Sequence, residues 1–245
     1  MSDDKTTNTD FLAAMPEAER EFFELMMRDE PLHLDLQEYV CDGPIGPMLR
    51  HPLVYELSLH GPARINQRYA EKVDMMARAH AEANWLQYVW LHERPWRLDA
   101  LRQIEGRLKP VEFWELLRDV WIDSENIWQN FREWLLLLQD PRPGRSHVMT
   151  PTERKALRAL PELITVYRGC QQDLNDDGLS WTLDRSRAEW FAKRFRQQNG
   201  ENAPCVLIGE LKRADVFAYF KEGRGEEEIV VDHPIKVNVA HIAFV

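Results

Sequence analysis

The chain has 245 residues, 44% of them hydrophobic and 29% charged, with a formal net charge of −10. That length holds one large domain or two small ones, and the composition is that of a globular chain, not a disordered or fibrous one. The charge is uneven: residues 1–145 carry 17 Lys+Arg against 26 Asp+Glu (−9) and residues 146–245 carry 14 against 15 (−1). No basic face announces a nucleic-acid binder, which favours a protein target. Three scattered cysteines, Cys41, Cys170 and Cys205, without a C-x-x-C pair predict reduced thiols and a cytoplasmic setting. The first residues are polar and acidic, unlike a secretory signal. The longest aliphatic run, 135–138, is far too short to span a bilayer, so no membrane partner is expected.

In chain order, residues 1–50 read as an acidic extension with one amphipathic stretch over 17–27 and a Pro/Gly-punctuated segment over 31–52. Residues 51–145 read as a helical, Trp-rich region. Ala70, Val73, Met76, Ala77, Ala81, Trp85, Tyr88 and Val89 recur near 3.6-residue spacing and predict a helix over 63–92. A second helix is expected over 97–108, bounded by Pro95 and Pro110. The strongest periodic signal follows: Phe113, Leu117, Val120, Trp121, Ile127, Trp128, Phe131, Trp134, Leu135 and Leu138 form one stripe, with Trp114, Trp121 and Trp128 seven apart. Tryptophans at helical spacing predict core. Asp123, Ser124, Glu125, Asn126 and Asn130 interrupt the stripe and suit either a solvated face or the lining of a ligand pocket.

Residues 140–144 are the clearest break, and a third region, 146–245, follows. It opens with a capping box, in which Thr150 is the cap, Pro151 the first helical residue and Glu153 the third. Beyond it the pattern turns to strands, rich in Val, Ile and aromatics, over 164–168, 179–183, 206–211, 216–220, 228–231 and 239–245, with one helix over 186–197.

Three of these strands carry polar residues that a buried strand does not need. Arg168 ends the first, beside Gly169, whose missing side chain permits a close backbone approach. Ser180 and Thr182 share one face of the second while Trp181 points the other way. Glu226 and Glu228 share a face at the opening of the fifth, with Glu227 opposite, after a Gly223-Arg224-Gly225 turn. Carboxylates that open an apolar strand need a cleft or a partner. In order and context, Val166-Tyr167-Arg168-Gly169, Leu179-Ser180-Trp181-Thr182 and Glu226-Glu227-Glu228-Ile229-Val230 resemble the R-S-E class of ADP-ribosyltransferases. That class includes bacterial toxins and phage-encoded modifying enzymes.

The resemblance covers about residues 150–245 and implies an α+β protein, a helical N-terminal half packed on a small, mostly antiparallel split sheet. It implies NAD as co-substrate, no metal, and transfer of ADP-ribose to a macromolecular acceptor with release of nicotinamide. Such chemistry needs an anchor for phosphates, which an arginine fork supplies, and negative charge against an oxocarbenium-like state. By resemblance Arg168 and Gly169 bind the dinucleotide, Ser180 organises the catalytic glutamate and Thr182 supports it. Glu228 is the catalytic carboxylate, and Glu226 handles the acceptor, whose identity as a protein arginine follows from a glutamate at that place. The turn over 221–225 resembles the target-recognition loop, with Tyr219 and Phe220 as aromatic contacts. Only eleven residues separate Arg168 from Ser180, fewer than in many toxins, which hands cover of the adenosine end to the N-terminal helices.

The resemblance also suits transfer to RNA or DNA, or to water as an NAD glycohydrolase. A different class, an inactive binding module with the Trp-rich helix as interface, stays open as well. A phage or toxin–antitoxin setting with an inhibitor partner fits the family. No G-x-G-x-x-G, P-loop, H-E-x-x-H or G-x-S-x-G motif is present. The eight histidines are dispersed, and two carboxylates on one strand cannot flank a glycosidic bond.

Overall fold

The computed structural model describes residues 15–125, 127–171, 175–194, 204–222, 227–234 and 236–241. The chain divides into two compact units, Met1–Ile104 and Glu105–Val245. The boundary thus falls at 104/105, where the sequence pattern places divisions at 50/51 and 145/146, and the Trp-rich helices belong with the C-terminal strands.

The first unit holds α1 (Glu17–Met27), α2 (Leu34–Gln37), α3 (Pro62–Ala81), α4 (Trp85–Leu91) and α5 (Arg97–Ile104). It also holds an antiparallel sheet, β1 (Val40–Gly43), β2 (Gly46–Arg50) and β3 (Tyr55–Glu56), two strands of which lie in the Pro/Gly-punctuated segment over 31–52, where the sequence pattern predicts no strand. The glycines instead make a hairpin turn: Gly46 sits at φ 126, a conformation that side chains avoid. Leu36, Leu49, Leu53, Val54 and Ile65 form the core beside this sheet. The single helix expected over 63–92 is two. Ala83 takes a left-handed φ of 52, and the Asn84 side chain accepts the Gln87 N–H to cap α4.

The second unit holds α6 (Pro110–Asp123), α7 (Phe131–Leu138), α8 (Pro151–Ala159) and α9 (Arg185–Arg194). Its strands are β4 (Leu163–Gln171), β5 (Ser180–Thr182), β6 (Pro204–Lys212), β7 (Ala218–Phe220), β8 (Glu228–Val230) and β9 (Lys236–His241). They form one sheet in the order β7-β8-β5-β4-β6-β9, every pair antiparallel. The protein is α+β. The sheet is hydrogen-bonded throughout rather than split, but a single residue pair, Tyr167 with Thr182, joins β4 to β5. By contrast β4 runs against β6 from Leu163↔Lys212 to Gln171↔Pro204. A seam therefore divides the sheet into a short-stranded and a long-stranded flank. On the long flank Cys170 and Cys205 lie opposite each other as free thiols, sulfurs 3.3 Å apart.

The apolar stripe expected as one long helix is broken. Ser124 turns both its hydroxyl (2.7 Å) and its N–H (3.0 Å) back to the Val120 carbonyl and so ends α6. Before the break, Phe113, Trp114, Leu117, Val120 and Trp121 are buried, and after it Trp134, Leu137 and Leu138 are buried. Trp121 and Trp134 meet edge-on at 4.9 Å. Trp128, in the turn between the helices, is 40% exposed.

Candidate functional site

The seam brings Arg168, Ser180 and Glu228 together. Arg168 lies at the middle of β4, half-buried, and turns its guanidinium onto the chain that leads into β5. Its Nη1 donates to the Ser180 carbonyl (2.7 Å), and its Nε (3.3 Å) and Nη2 (2.8 Å) donate to the Asn175 carbonyl. Gly178 makes this possible, because a Cβ there would stand 2.0 Å from Nη2. Burial lowers the guanidinium's proton affinity, while nearby Cys170, Asp177, Glu228 and Asp176 oppose the shift; an arginine stays ionised through such changes. Among the described residues, three of its five N–H bonds thus go to backbone carbonyls.

Ser180 and Glu228 occupy neighbouring strands, β5 and β8, whose register pairs Ser180 with Val230 and Thr182 with Glu228. The Ser180 hydroxyl donates to Glu228 Oε1 at 2.5 Å. The Trp121 indole N–H donates to the same oxygen at 3.2 Å. Glu228 is only 6% exposed, so these bonds meet part of the cost of burying a carboxylate and fix its plane. Thr182 is buried beside it and accepts the Asp184 N–H through its hydroxyl (3.1 Å), which ties the end of β5 to the start of α9.

Several expected contacts are placed differently. A Cβ on Gly169 would fall 1.8 Å from the Ala188 carbonyl oxygen; the close approach that this glycine permits is that of α9 against β4. Tyr219 and Phe220 are 2% and 4% exposed, so β7 buries the two rings expected to meet an acceptor. The Tyr219 phenol is pushed up to about 12, chiefly by burial and then by Glu227. Glu227 sits at φ 47, and the extended strand begins only at Glu228. The two-residue alternation expected through 226–228 therefore does not hold at Glu227. Its carboxylate approaches Lys221 Nζ (3.4 Å) and the Tyr219 hydroxyl (3.5 Å). Glu226 lies outside the described residues.

Two residues that the sequence pattern assigned elsewhere belong to this region. Trp121 fell in the core stripe, and periodicity says which face a ring takes, not what its N–H meets. Glu153 is the third residue of the capping box and does accept the Thr150 N–H (2.8 Å). It is also fully buried, accepting the backbone N–H groups of Lys221 and Glu222 (both 3.1 Å) and the Arg118 guanidinium (3.2 and 3.4 Å). Burial pushes its pKa up, but the Thr150 and Glu222 N–H groups and Arg118 outweigh that and hold it below the ordinary glutamate value. Arg118 and Trp121 lie three apart on α6, so one helix face grips both ends of the β7–β8 connection.

Among the described residues no group of three or more His, Cys, Asp or Glu is placed to hold a metal ion, and no helix is long and apolar enough to cross a membrane. The arrangement offers an ionised guanidinium and an oriented, nearly buried carboxylate on either side of a sheet seam. Comparison with known proteins adds no relative to this geometry: no family model, no curated protein and no solved structure matches the chain.

Proposed function

We propose that the chain is an NAD-dependent ADP-ribosyltransferase that releases nicotinamide and passes ADP-ribose to a macromolecule. One observation carries the reading: Ser180 and Trp121 both donate to one oxygen of the buried Glu228, and Ser180 stands on β5, between the strand that bears Glu228 and the one that bears Arg168. Two neutral donors orient the carboxylate and preserve its charge. In the reaction the bond from ribose C1′ to the pyridinium nitrogen breaks, and its electron pair leaves with nicotinamide, which becomes neutral. The cation left on the ribose is stabilised by the Glu228 carboxylate, whose preorganised charge is most effective in a site of low dielectric. The acceptor then attacks C1′ and loses a proton. Arg168 shapes the approach to β5 and offers its remaining N–H bonds to the phosphates. The near-division of the antiparallel sheet at the seam supports reading the fold as that of the ADP-ribosyltransferases.

The acceptor in this reading is a protein arginine, on the strength of the Glu226-x-Glu228 spacing, and the setting is a cytoplasmic effector of phage or toxin–antitoxin type. The test is incubation of the whole chain with labelled NAD and cell lysate, following nicotinamide release and the fate of the label. Nicotinamide release with label removed by protease supports the reading. Label that survives protease and is lost to nuclease replaces the arginine with a nucleic acid. Release without any transfer makes water the acceptor, and no release at all refutes the transferase.

A further inference from the structure

We propose that the Trp128 indole is the stacking surface for the adenine ring of the bound dinucleotide, an inference that rests on the NAD reading of the seam. The spacing of seven from Trp121 predicts a core ring, yet the break after Asp123 carries Trp128 out of the core and leaves it 40% exposed. Its position is nonetheless fixed. The indole N–H donates to Asp177 Oδ1 at 2.6 Å, and Asp177 precedes Gly178, the residue that lies against the Arg168 guanidinium. Asp177 is also near enough to Arg168 to act on its charge. The same stretch of chain therefore touches Glu228 through Trp121 and the Arg168 loop through Trp128, and it spans the seam.

On the NAD reading Glu228 meets the nicotinamide ribose and Arg168 the phosphates, and the ring anchored to the loop that lies against Arg168 is assigned to the second nucleoside. Among the described residues no ring or guanidinium stacks on the indole, and 40% of the residue is exposed. The other strongly exposed tryptophan, Trp190, is by contrast flanked by Arg187, Arg194 and Phe191. An anchored, partly exposed indole suits a flat base, because stacking needs only a π-face and the ring loses little freedom on binding.

The test is calorimetric titration of the whole chain carrying E228Q, so that NAD is not consumed, with and without W128A, W128F or D177N. NAD, ADP-ribose and nicotinamide mononucleotide are the three probes. The expected result is a loss of about tenfold or more in affinity for NAD and ADP-ribose with W128A, a small loss with W128F, and no change for nicotinamide mononucleotide. D177N, which weakens the anchor without removing the ring, should give a loss of a few fold and keeps the test informative should W128A fold poorly. Unchanged NAD affinity in W128A and D177N overturns the inference while leaving the NAD site standing. Loss confined to nicotinamide mononucleotide overturns it by giving the ring to the pyridine. No NAD binding to the E228Q chain at all overturns the inference together with the NAD site.

Discussion

The two flanks of the seam are built on different terms. On the long side, β4 and β6 are nine residues each and β9 six, and the buried positions include Ile164, Val166, Val206, Leu207 and Leu211. Ladder hydrogen bonds and apolar burial sustain that flank. On the short side, β5, β7 and β8 have three residues each, too few for a ladder to hold by itself, and Thr182 and Glu228 are buried there. Side chains from outside this flank make up the difference: Trp121 on Glu228, Arg168 on the Ser180 carbonyl, and Glu153 on the N–H groups after β7. The lesson is that a weakly laddered flank can host a buried charge, because its geometry is set by donors that can be aimed.

The sharpest way to break this comparison is to neutralise the charge. Glu228→Gln keeps an oxygen for Ser180 and Trp121, so the unfolding midpoint should stay near the parent's. Nicotinamide release from NAD should fall by about 10²–10³-fold or more, the order seen when one preorganised electrostatic group is removed. Near-parental release would move the chemistry off the short flank.

Next in size is Glu153→Gln. It leaves Arg118 without its buried partner and should cost about 3 kcal/mol in denaturant unfolding at neutral pH. The pH dependence has a definite sign. The folded pKa of Glu153 lies below the ordinary 4.5, so its contribution is complete above 4.5 and is lost as pH falls through the folded value. The gap between parent and variant should therefore be wide at neutral pH and narrow in acid. A gap that widens in acid would contradict this account.

Gly169→Ala probes the other flank. The new methyl would meet the Ala188 oxygen at 1.8 Å and the Ala192 nitrogen at 2.7 Å, backbone atoms that cannot rotate away. A loss of about 2 kcal/mol is expected from thermal or denaturant melts. Ser180→Ala removes one of the donors on Glu228 and should lower nicotinamide release by about tenfold, with little change in the melt. The smallest effect is expected for Tyr219→Phe. A contact of 3.5 Å to Glu227 is at the limit of hydrogen bonding, so stability and nicotinamide release should both stay within about 0.5 kcal/mol of the parent. A large effect there would show that the phenol, not the carboxylate pair, organises the turn.

Much of the long flank is legible before folding. Runs such as Val206-Leu207-Ile208, with β-branched residues and turn residues nearby, predict buried strands, and the capping box at Thr150 announces α8. The order Arg168, Ser180, Glu228 also points to one neighbourhood, since each polar residue interrupts an apolar strand. What pattern could not convey is direction. Trp121 belongs to the core stripe and yet delivers its N–H to a residue 107 positions away. The resemblance offers Tyr219 and Phe220 as acceptor contacts, but all three residues of β7 are buried. The helix breaks at Ala83 and Ser124 lack proline and glycine: Ala83 takes a left-handed φ before the Asn84 cap, and the Ser124 hydroxyl turns back to the Val120 carbonyl, local choices that periodicity does not register. In the first unit, strands as short as β1–β3 present too few residues for alternation to stand out.

The partners of Glu153 also set a schedule for synthesis. Arg118 precedes Glu153 by 35 residues, while Lys221 and Glu222 follow it by 68 and 69. A nascent chain that has just made α8 holds a carboxylate whose burial is only partly compensated, since two of its donors have not yet been polymerised. Closure of the helices onto the short strands before Lys221 emerges would leave that charge inadequately solvated. Full burial of Glu153 is therefore expected only after the connection that follows β7 has been made. Nested C-terminal truncations should switch from protease-sensitive to resistant only once residues 221 and 222, and the strands that follow them, are included.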